Sequence, residues 1–107
     1  YPRHIEAAWE RLDLINCGDL TFQKPDFERF PCITLGFKVL EKFGTSGAAL
    51  NLSNDYAVYR FLNGEIQFTD IPRINESVLE EHPWNEEPSL NDLVELDEWV
   101  KKYVTTY

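Results

Sequence analysis

The sequence predicts an all-α fold: a small four-helix bundle preceded by an extended linker with one short strand-like segment. From residue 30 onward, apolar residues recur in four separate stretches with the spacing of three or four that places them on one helix face. Proline, glycine or a capping residue stands at the ends of these stretches. The connections between them are only about 3 to 7 residues long, which favours antiparallel neighbours in a bundle.

The chain is predicted to divide into a linker, residues 1–29, and a helical domain, residues 30–107. In the linker, short apolar clusters alternate with polar breaks, and no helical periodicity is visible. Its one strand-like segment is a triplet of two apolar residues around a threonine, followed by a turn signal at Pro25. We therefore expect a single short extended segment at Leu20, Thr21 and Phe22.

The first two helices are predicted from their apolar spacing and from the residues at their ends. The first starts near Pro31, because proline is tolerated in a first helical turn, and Gly44 supplies a left-handed stop. Its expected core face is Ile33, Phe37, Leu40 and Phe43. The second begins after Gly47 and ends at Asn63 and Gly64. Its expected core face is Ala48, Leu52, Tyr56 and Tyr59, flanked by Val58, Phe61 and Leu62.

The third and fourth helices lie on either side of an acidic loop, residues 85–88. Thr69 or Asp70 is expected to cap the third helix, and its apolar side is Ile71, Ile74, Val78 and Leu79. Ser89 followed by Asp92 three residues later predicts a capped start of the fourth helix. The fourth apolar face is Leu93, Leu96, Val100 and Tyr103, widened by Leu90, Val94 and Val104.

The charge of the chain bears on its partners and its location. The formal net charge is −9, and the ten basic residues are scattered, whereas phosphate backbones and anionic membranes bind clustered Lys and Arg. We therefore expect neither nucleic acid nor a membrane as a partner. Cys17 and Cys32 are too few for a disulfide framework, so a reducing compartment is indicated, with the cytoplasm as the default.

Two polar motifs in the middle of the chain are candidates for a site. Residues 44–47 (Gly-Thr-Ser-Gly) precede a helix, but they lack the lysine and the preceding strand of a phosphate-binding loop, so we interpret them as a helix break. Asn51, Asn54 and Asp55 share one helix face at the spacing i, i+3 and i+4. They form either a polar-ligand site or a buried polar network. We favour the network, because buried amides must be hydrogen-bonded.

Other chemically suggestive residues have simpler interpretations. Five residues near the acidic loop are ligand types for magnesium or manganese, namely Glu80, Glu81, His82, Glu86 and Glu87. Consecutive helical residues point in different directions, so we expect a solvated acidic face instead. Neither His4 nor His82 has an obvious nucleophile beside it, and Cys32 is expected to be a small core residue. We therefore expect no catalytic, cofactor-binding or metal-binding residue in this chain.

The central stretch, residues 44–72, resembles the carboxy-terminal part of 1-deoxy-D-xylulose 5-phosphate reductoisomerases. Residues 30–33 (Phe-Pro-Cys-Ile) add to the resemblance, which extends from Tyr1-Pro2 to the last helix. In the family, the second helix carries Leu-Asn-Ala-Ala-Asn-Glu, where this chain has Leu-Asn-Leu-Ser-Asn-Asp at residues 50–55. The shorter acid at Asp55 is a departure from that pattern.

The resemblance implies a role within a larger enzyme. It implies an NADPH-dependent oxidoreductase and isomerase that uses magnesium or manganese, whose cofactor and metal residues all precede this stretch. The implied partner is the remainder of that enzyme, which pairs as a homodimer through regions outside this chain. The implied location is the cytoplasm, or a plastid-type organelle in a plant or apicomplexan. The implied task of the bundle is to buttress the active-site cleft. The alternative is a freestanding acidic helical module for protein interaction.

Overall fold

The computed structural model describes residues 8–107 of the chain. It contains four α-helices: α1 (Cys32–Lys42), α2 (Ser46–Leu62), α3 (Asp70–Glu81) and α4 (Leu90–Thr106). The central helix is α2, which packs against the other three, while α3 also contacts α1 and α4. The predicted all-α four-helix bundle is therefore confirmed. No helix in the described part of the chain combines the length and the apolar character that spanning a bilayer requires.

The segment before α1 differs from the prediction. Within residues 8–31 the backbone forms turns and bends but no strand, so the strand-like segment predicted at Leu20, Thr21 and Phe22 is wrong. A strand is stabilised by hydrogen bonds to a neighbouring strand, and residues 20–22 have no such neighbour in the part of the chain that the structure describes. Alternation of apolar and polar residues was therefore not enough to define a strand.

Helix α1 faces the bundle with a different side from the one predicted. Leu35 is buried and Val39 packs against the core, and these two residues are four apart on one face. All four residues of the predicted core face are exposed: Ile33, Phe37, Leu40 and Phe43. The prediction was wrong because α1 is apolar on two sides, and periodicity alone does not say which side meets the other helices.

Small residues, not large ones, form the most buried line of α2. The fully buried positions on this helix are Ser46, Ala49, Ser53 and Ala57, and α2 begins at Ser46 rather than after Gly47. Small side chains suit a central helix because they allow several neighbours to approach its backbone. Three residues of the predicted face pack at the edge of the core, but the fourth, Tyr59, is exposed, and so is Leu62, which was predicted to flank that face. The Tyr56 hydroxyl donates to the Asp97 carboxylate on α4 at 2.7 Å, which raises the pKa of Tyr56.

The predicted face of α3 is confirmed, and that of α4 in part, because Leu90 and Val94, predicted to widen it, are exposed at the start of the helix. All four apolar residues predicted for α3 are buried, and α4 contributes Leu96, Val100 and Val104 to the same core. The capping box at the start of α4 is also confirmed, because Ser89 Oγ accepts from the Asp92 amide and the Asp92 carboxylate accepts from the Ser89 amide. The hydrogen bonds from Ser89 lower the pKa of Asp92. Thr69 precedes α3 without a side-chain capping bond.

Candidate functional site

The three polar residues predicted on α2 do not come together in one cluster. Asn51 and Asp55 lie on the exposed face of α2, and Asn54 is half-buried toward α3. The Oδ1 atom of Asn54 accepts a hydrogen bond from Nδ2 of Asn75 at 3.2 Å. The structure therefore places Asn54 in a polar contact between helices, while Asn51 and Asp55 face outward.

The centre of this polar contact is Asn75, a residue on α3 that sequence reasoning missed. Asn75 is 1% exposed, its Oδ1 accepts from Ser53 Oγ at 2.9 Å, and its Nδ2 also approaches the Cys32 sulfur at 3.8 Å. The cluster of Asn75, Ser53, Asn54 and Cys32, called here the Asn75 network, links α3 to α2 and to the start of α1. A signal was present, since Asn75 lies four residues after Ile71 and three before Val78, on the apolar face.

Cys32 also differs from its prediction. It is the first residue of α1 and is exposed, so the expectation that it is a small core residue is wrong. Cys32 lies on the same side of α1 as Leu35 and Val39, three and seven residues later, but it is at the first position of the helix, where it is exposed. The thiol therefore contributes one weak contact to the Asn75 network and no packing in the core.

Residues 44–47, the Gly-Thr-Ser-Gly motif, hold the α1–α2 turn against the α3–α4 loop. The Thr45 amide donates to the Asn85 carbonyl, and the Asn85 amide donates to Thr45 Oγ1, each at 2.9 Å. The Trp84 indole Nε1 donates to the Phe43 carbonyl at 3.3 Å. Because the Thr45 amide is already bonded to Asn85, it is not available to cradle a phosphate, and the motif acts as a helix break that locks two loops together.

Gly44 makes this contact between the α1–α2 turn and the α3–α4 loop possible. Its φ is +56°, and a Cβ atom at this position would lie 2.3 Å from the Asn85 carbonyl oxygen. Glycine is therefore required here for two separate reasons, a left-handed backbone and a close approach of another backbone segment. The prediction of a left-handed stop at Gly44 is confirmed.

His82, at the end of α3, is directed into the protein. The residue is 5% exposed, and its Nδ1 lies 3.1 Å from the Val78 carbonyl oxygen and 3.0 Å from that of Leu79. Since carbonyl oxygens only accept, Nδ1 carries the proton and donates. Nε2 is buried and has no hydrogen-bond partner among residues 8–107. Burial lowers the pKa of His82, and the nearby Lys42 charge acts in the same direction.

Stability is expected to fall as the pH drops below the ordinary histidine value of 6.5. Above this pH, His82 is neutral in both the folded and the unfolded chain. Below it, the unfolded chain binds a proton at His82 more readily than the folded chain does, which favours unfolding. Melting temperatures measured at pH 7.5 and 5.5 are expected to be lower at the acidic pH. His82→Asn keeps a side-chain N–H for the helix carbonyls but does not titrate, so its difference between the two pH values should be smaller. An equal fall in melting temperature in the parent and in His82→Asn would contradict the assignment of this pH dependence to His82.

Replacing Asn54 tests the contact between α2 and α3. Asn54→Ala removes the half-buried acceptor of the buried Asn75 amide, and we expect it to lower the free energy of unfolding by about 1 to 3 kcal/mol. The matched control is Asn51→Ala, an exposed asparagine on the same helix, which should stay within about 0.5 kcal/mol of the parent. Urea denaturation of the three proteins measures both values. Equal losses from both variants would contradict the role of the interhelical bond, because Asn51 has no such bond within residues 8–107 and alanine has the higher helix propensity.

The acidic residues near His82 do not converge on a metal position. Glu80, Glu81, Glu86 and Glu87 are exposed, whereas His82 turns inward to the carbonyls of its own helix. Among residues 8–107, no three or more His, Cys, Asp or Glu side chains are grouped so that they hold a metal ion. The donor set of the described residues therefore does not fit the divalent metal that the family resemblance implies, and no catalytic step is assigned to it.

Comparison with known proteins gives a consistent result. A family model described as the DXP reductoisomerase C-terminal domain matches residues 1–103. The 1-deoxy-D-xylulose 5-phosphate reductoisomerase of Acetivibrio thermocellus is 40% identical over 104 residues, which are 97% of this chain and 27% of that enzyme. The enzyme of the same name from Nostoc punctiforme is 41% identical over 108 residues, 99% of this chain and 27% of that enzyme.

A third relative, from a Synechococcus strain, is 38% identical over 106 residues and carries the same name. The chain thus spans about a quarter of the length of the curated relatives it matches, 26% in this case. The matched family model describes a carboxy-terminal domain and covers all four helices of the bundle except the last few residues of α4. The chain therefore belongs to the DXP reductoisomerase C-terminal domain family.

Proposed function

We propose that this chain is the carboxy-terminal structural part of an enzyme that converts 1-deoxy-D-xylulose 5-phosphate to 2-C-methyl-D-erythritol 4-phosphate, in the non-mevalonate route to isoprenoid precursors. The observation that carries the proposal is the coverage by relatives: 97% of the chain aligns with only 27% of the Acetivibrio thermocellus enzyme. The activity is then a property of the complete polypeptide, and this chain supports it.

The chemistry is assigned to the part of the polypeptide outside this chain. In the complete enzyme, bound magnesium or manganese polarises the substrate oxygens and NADPH supplies the hydride. The contribution of this chain is mechanical. The Asn75 network joins three helices, and the Thr45–Asn85 hydrogen bonds join two loops, so the elements of the bundle are connected to one another. A rigid support beside the cleft keeps its walls in position when the enzyme closes around substrate.

The proposal includes the organisation and surroundings of the chain. Residues 1–29 form the linker from the catalytic region, and residues 30–107 form the buttress. The principal partner is the remainder of the same enzyme, which forms a homodimer through regions outside this chain. Nucleic acid and membranes are not partners of a chain with net charge −9 and scattered basic residues. The location is the cytoplasm, or a plastid-type organelle in a plant or apicomplexan source.

Complementation in trans tests the buttress role. The part of the Acetivibrio thermocellus enzyme that precedes the matched region is mixed with this chain, and NADPH oxidation in the presence of 1-deoxy-D-xylulose 5-phosphate and manganese is followed. Recovery of activity only in the mixture supports the proposal. Full activity of the preceding part by itself would show that the bundle is dispensable and would contradict the buttress role.

By itself, the chain is expected to bind neither NADPH nor manganese and to turn over no substrate. Dinucleotide binding requires a strand-to-helix turn with a close approach to the pyrophosphate, and residues 8–107 contain no strand. Titration calorimetry with NADPH and with manganese checks the expectation, and the complete enzyme serves as the positive control. Saturable one-to-one binding at micromolar affinity would reopen Asn51, Asn54 and Asp55 as ligand-facing residues.

A further inference from the structure

The outward side of α1 carries a line of large apolar side chains. Ile33, Phe37 and Leu40, called here the outer α1 stripe, are 38%, 58% and 64% exposed. Their spacing of four and three residues places them on one side of the helix. Leu35 and Val39, which contact the core, lie on the other side. Helix α1 is therefore apolar on both sides, and the bundle covers only one of them.

Three large apolar side chains thus remain exposed on one side of the 11-residue helix α1. Contiguous exposed apolar surface on a soluble protein commonly marks an interaction site, because covering it is favourable by about 25 cal/mol for each Å² removed from water. The outer α1 stripe is thus an exposed apolar surface on a chain whose formal net charge is −9.

The outer α1 stripe is continuous in sequence with a second uncovered region. Pro31 directly precedes α1, and every residue from 8 to 30 is exposed. This segment displays eight large apolar side chains: Trp9, Leu12, Leu14, Ile15, Leu20, Phe22, Phe27 and Phe30. Along the chain, α1 is therefore the first helix that follows this uncovered segment. Exposed apolar residues on α4, such as Val94, lack this continuity.

We propose that the outer α1 stripe is the surface through which the bundle docks onto an apolar patch of the remaining reductoisomerase polypeptide. The inference rests on the proposed function, because it identifies the helix face that the buttress uses. The remaining polypeptide is proposed as the docking partner because this chain corresponds to only 27% of the Acetivibrio thermocellus enzyme, and the rest of that enzyme lies outside it. Of the exposed apolar helix faces, the outer α1 stripe is the one continuous with the connecting segment.

Cysteine labelling in the complete enzyme tests this docking surface. Leu40→Cys and Val94→Cys are matched, because the parent residues are 64% and 55% exposed on the bundle described here. Each variant is treated with a maleimide under native conditions, and labelling at the introduced cysteine is measured by peptide mass spectrometry and normalised to the rate in urea. We expect the cysteine at position 40 to react about tenfold more slowly than that at position 94, because a covered thiol is inaccessible.

Each other outcome contradicts a specific part of the inference. Equal rates at the two positions, or faster labelling at position 40, would overturn the docking surface. Protection of position 40 that disappears on dilution would show that a second copy, not the same polypeptide, covers the stripe. The same preparation is assayed with 1-deoxy-D-xylulose 5-phosphate and NADPH. Reductase activity with equal labelling would leave the proposed function intact, whereas absence of activity in the unsubstituted enzyme would contradict the proposed function itself.

Discussion

Gly44→Ala is expected to lower the free energy of unfolding by about 2 to 5 kcal/mol, among the largest losses for any single methyl group added to this chain. Two costs combine at this position. An alanine would be held at φ +56°, and its Cβ would lie 2.3 Å from the Asn85 carbonyl oxygen. That oxygen accepts from the Thr45 amide at 2.9 Å, so the loop does not move away without breaking a hydrogen bond. Urea denaturation of parent and variant measures the loss.

Gly64→Ala separates the two costs. Gly64 has a φ of +76°, but an added Cβ would meet no atom within 4 Å. This variant has only the conformational cost of a left-handed alanine, about 1 to 2 kcal/mol. The excess loss in Gly44→Ala then measures the steric conflict with the α3–α4 loop. Equal losses in the two variants would mean that the loop yields easily, and that the lock between the two loops contributes little to stability.

Sequence patterns predicted α3 and α4 better than α1 and α2, and the reason is physical. Helix α3 has one apolar side, so the spacing of Ile71, Ile74 and Val78 identifies the buried face without ambiguity. Helix α1 has two, and only tertiary packing decides that Leu35 is buried while Phe37 is exposed. The start of α2 was predicted within two residues. Its buried side was not, because the buried residues are alanine and serine, whereas the prediction followed the spacing of larger apolar residues.

The polar contacts were predictable only in part. Their spacing showed that Asn51, Asn54 and Asp55 lie on the same side of α2. Spacing does not show where the exposed side of the helix ends and the buried side begins. Asn54 lies just inside that boundary, and the other two residues lie outside it. Asn75 is buried on α3, and its hydrogen-bond partner Asn54 lies on α2, 21 residues earlier in the sequence. Such long-range partners are set by the packing of the helices.

Asn75→Ala is expected to lower the free energy of unfolding by about 2 to 4 kcal/mol, more than Asn54→Ala. Asn75 is 1% exposed, so its removal leaves a cavity as well as lost hydrogen bonds. The buried Ser53 loses one of two acceptors, the one at 2.9 Å, and keeps the Leu50 carbonyl at 3.0 Å, while Asn54 loses its donor at 3.2 Å. Urea denaturation of the variant, with the exposed Asn51→Ala as the control, measures the loss.

A double-mutant cycle then tests whether the Asn75 network acts as a unit. Because the Asn54 side chain bonds to Asn75, Asn54→Ala should cost less in the Asn75→Ala background than in the parent, by about 0.5 kcal/mol or more. Asn75→Leu is the companion variant, since it restores most of the volume but neither the donor nor the acceptor. If Asn75→Leu matches the parent in stability, cavity formation explains the loss in Asn75→Ala, and the hydrogen bonds add little. If the two single losses simply add, the contact between α2 and α3 is not an energetic coupling between these two amides.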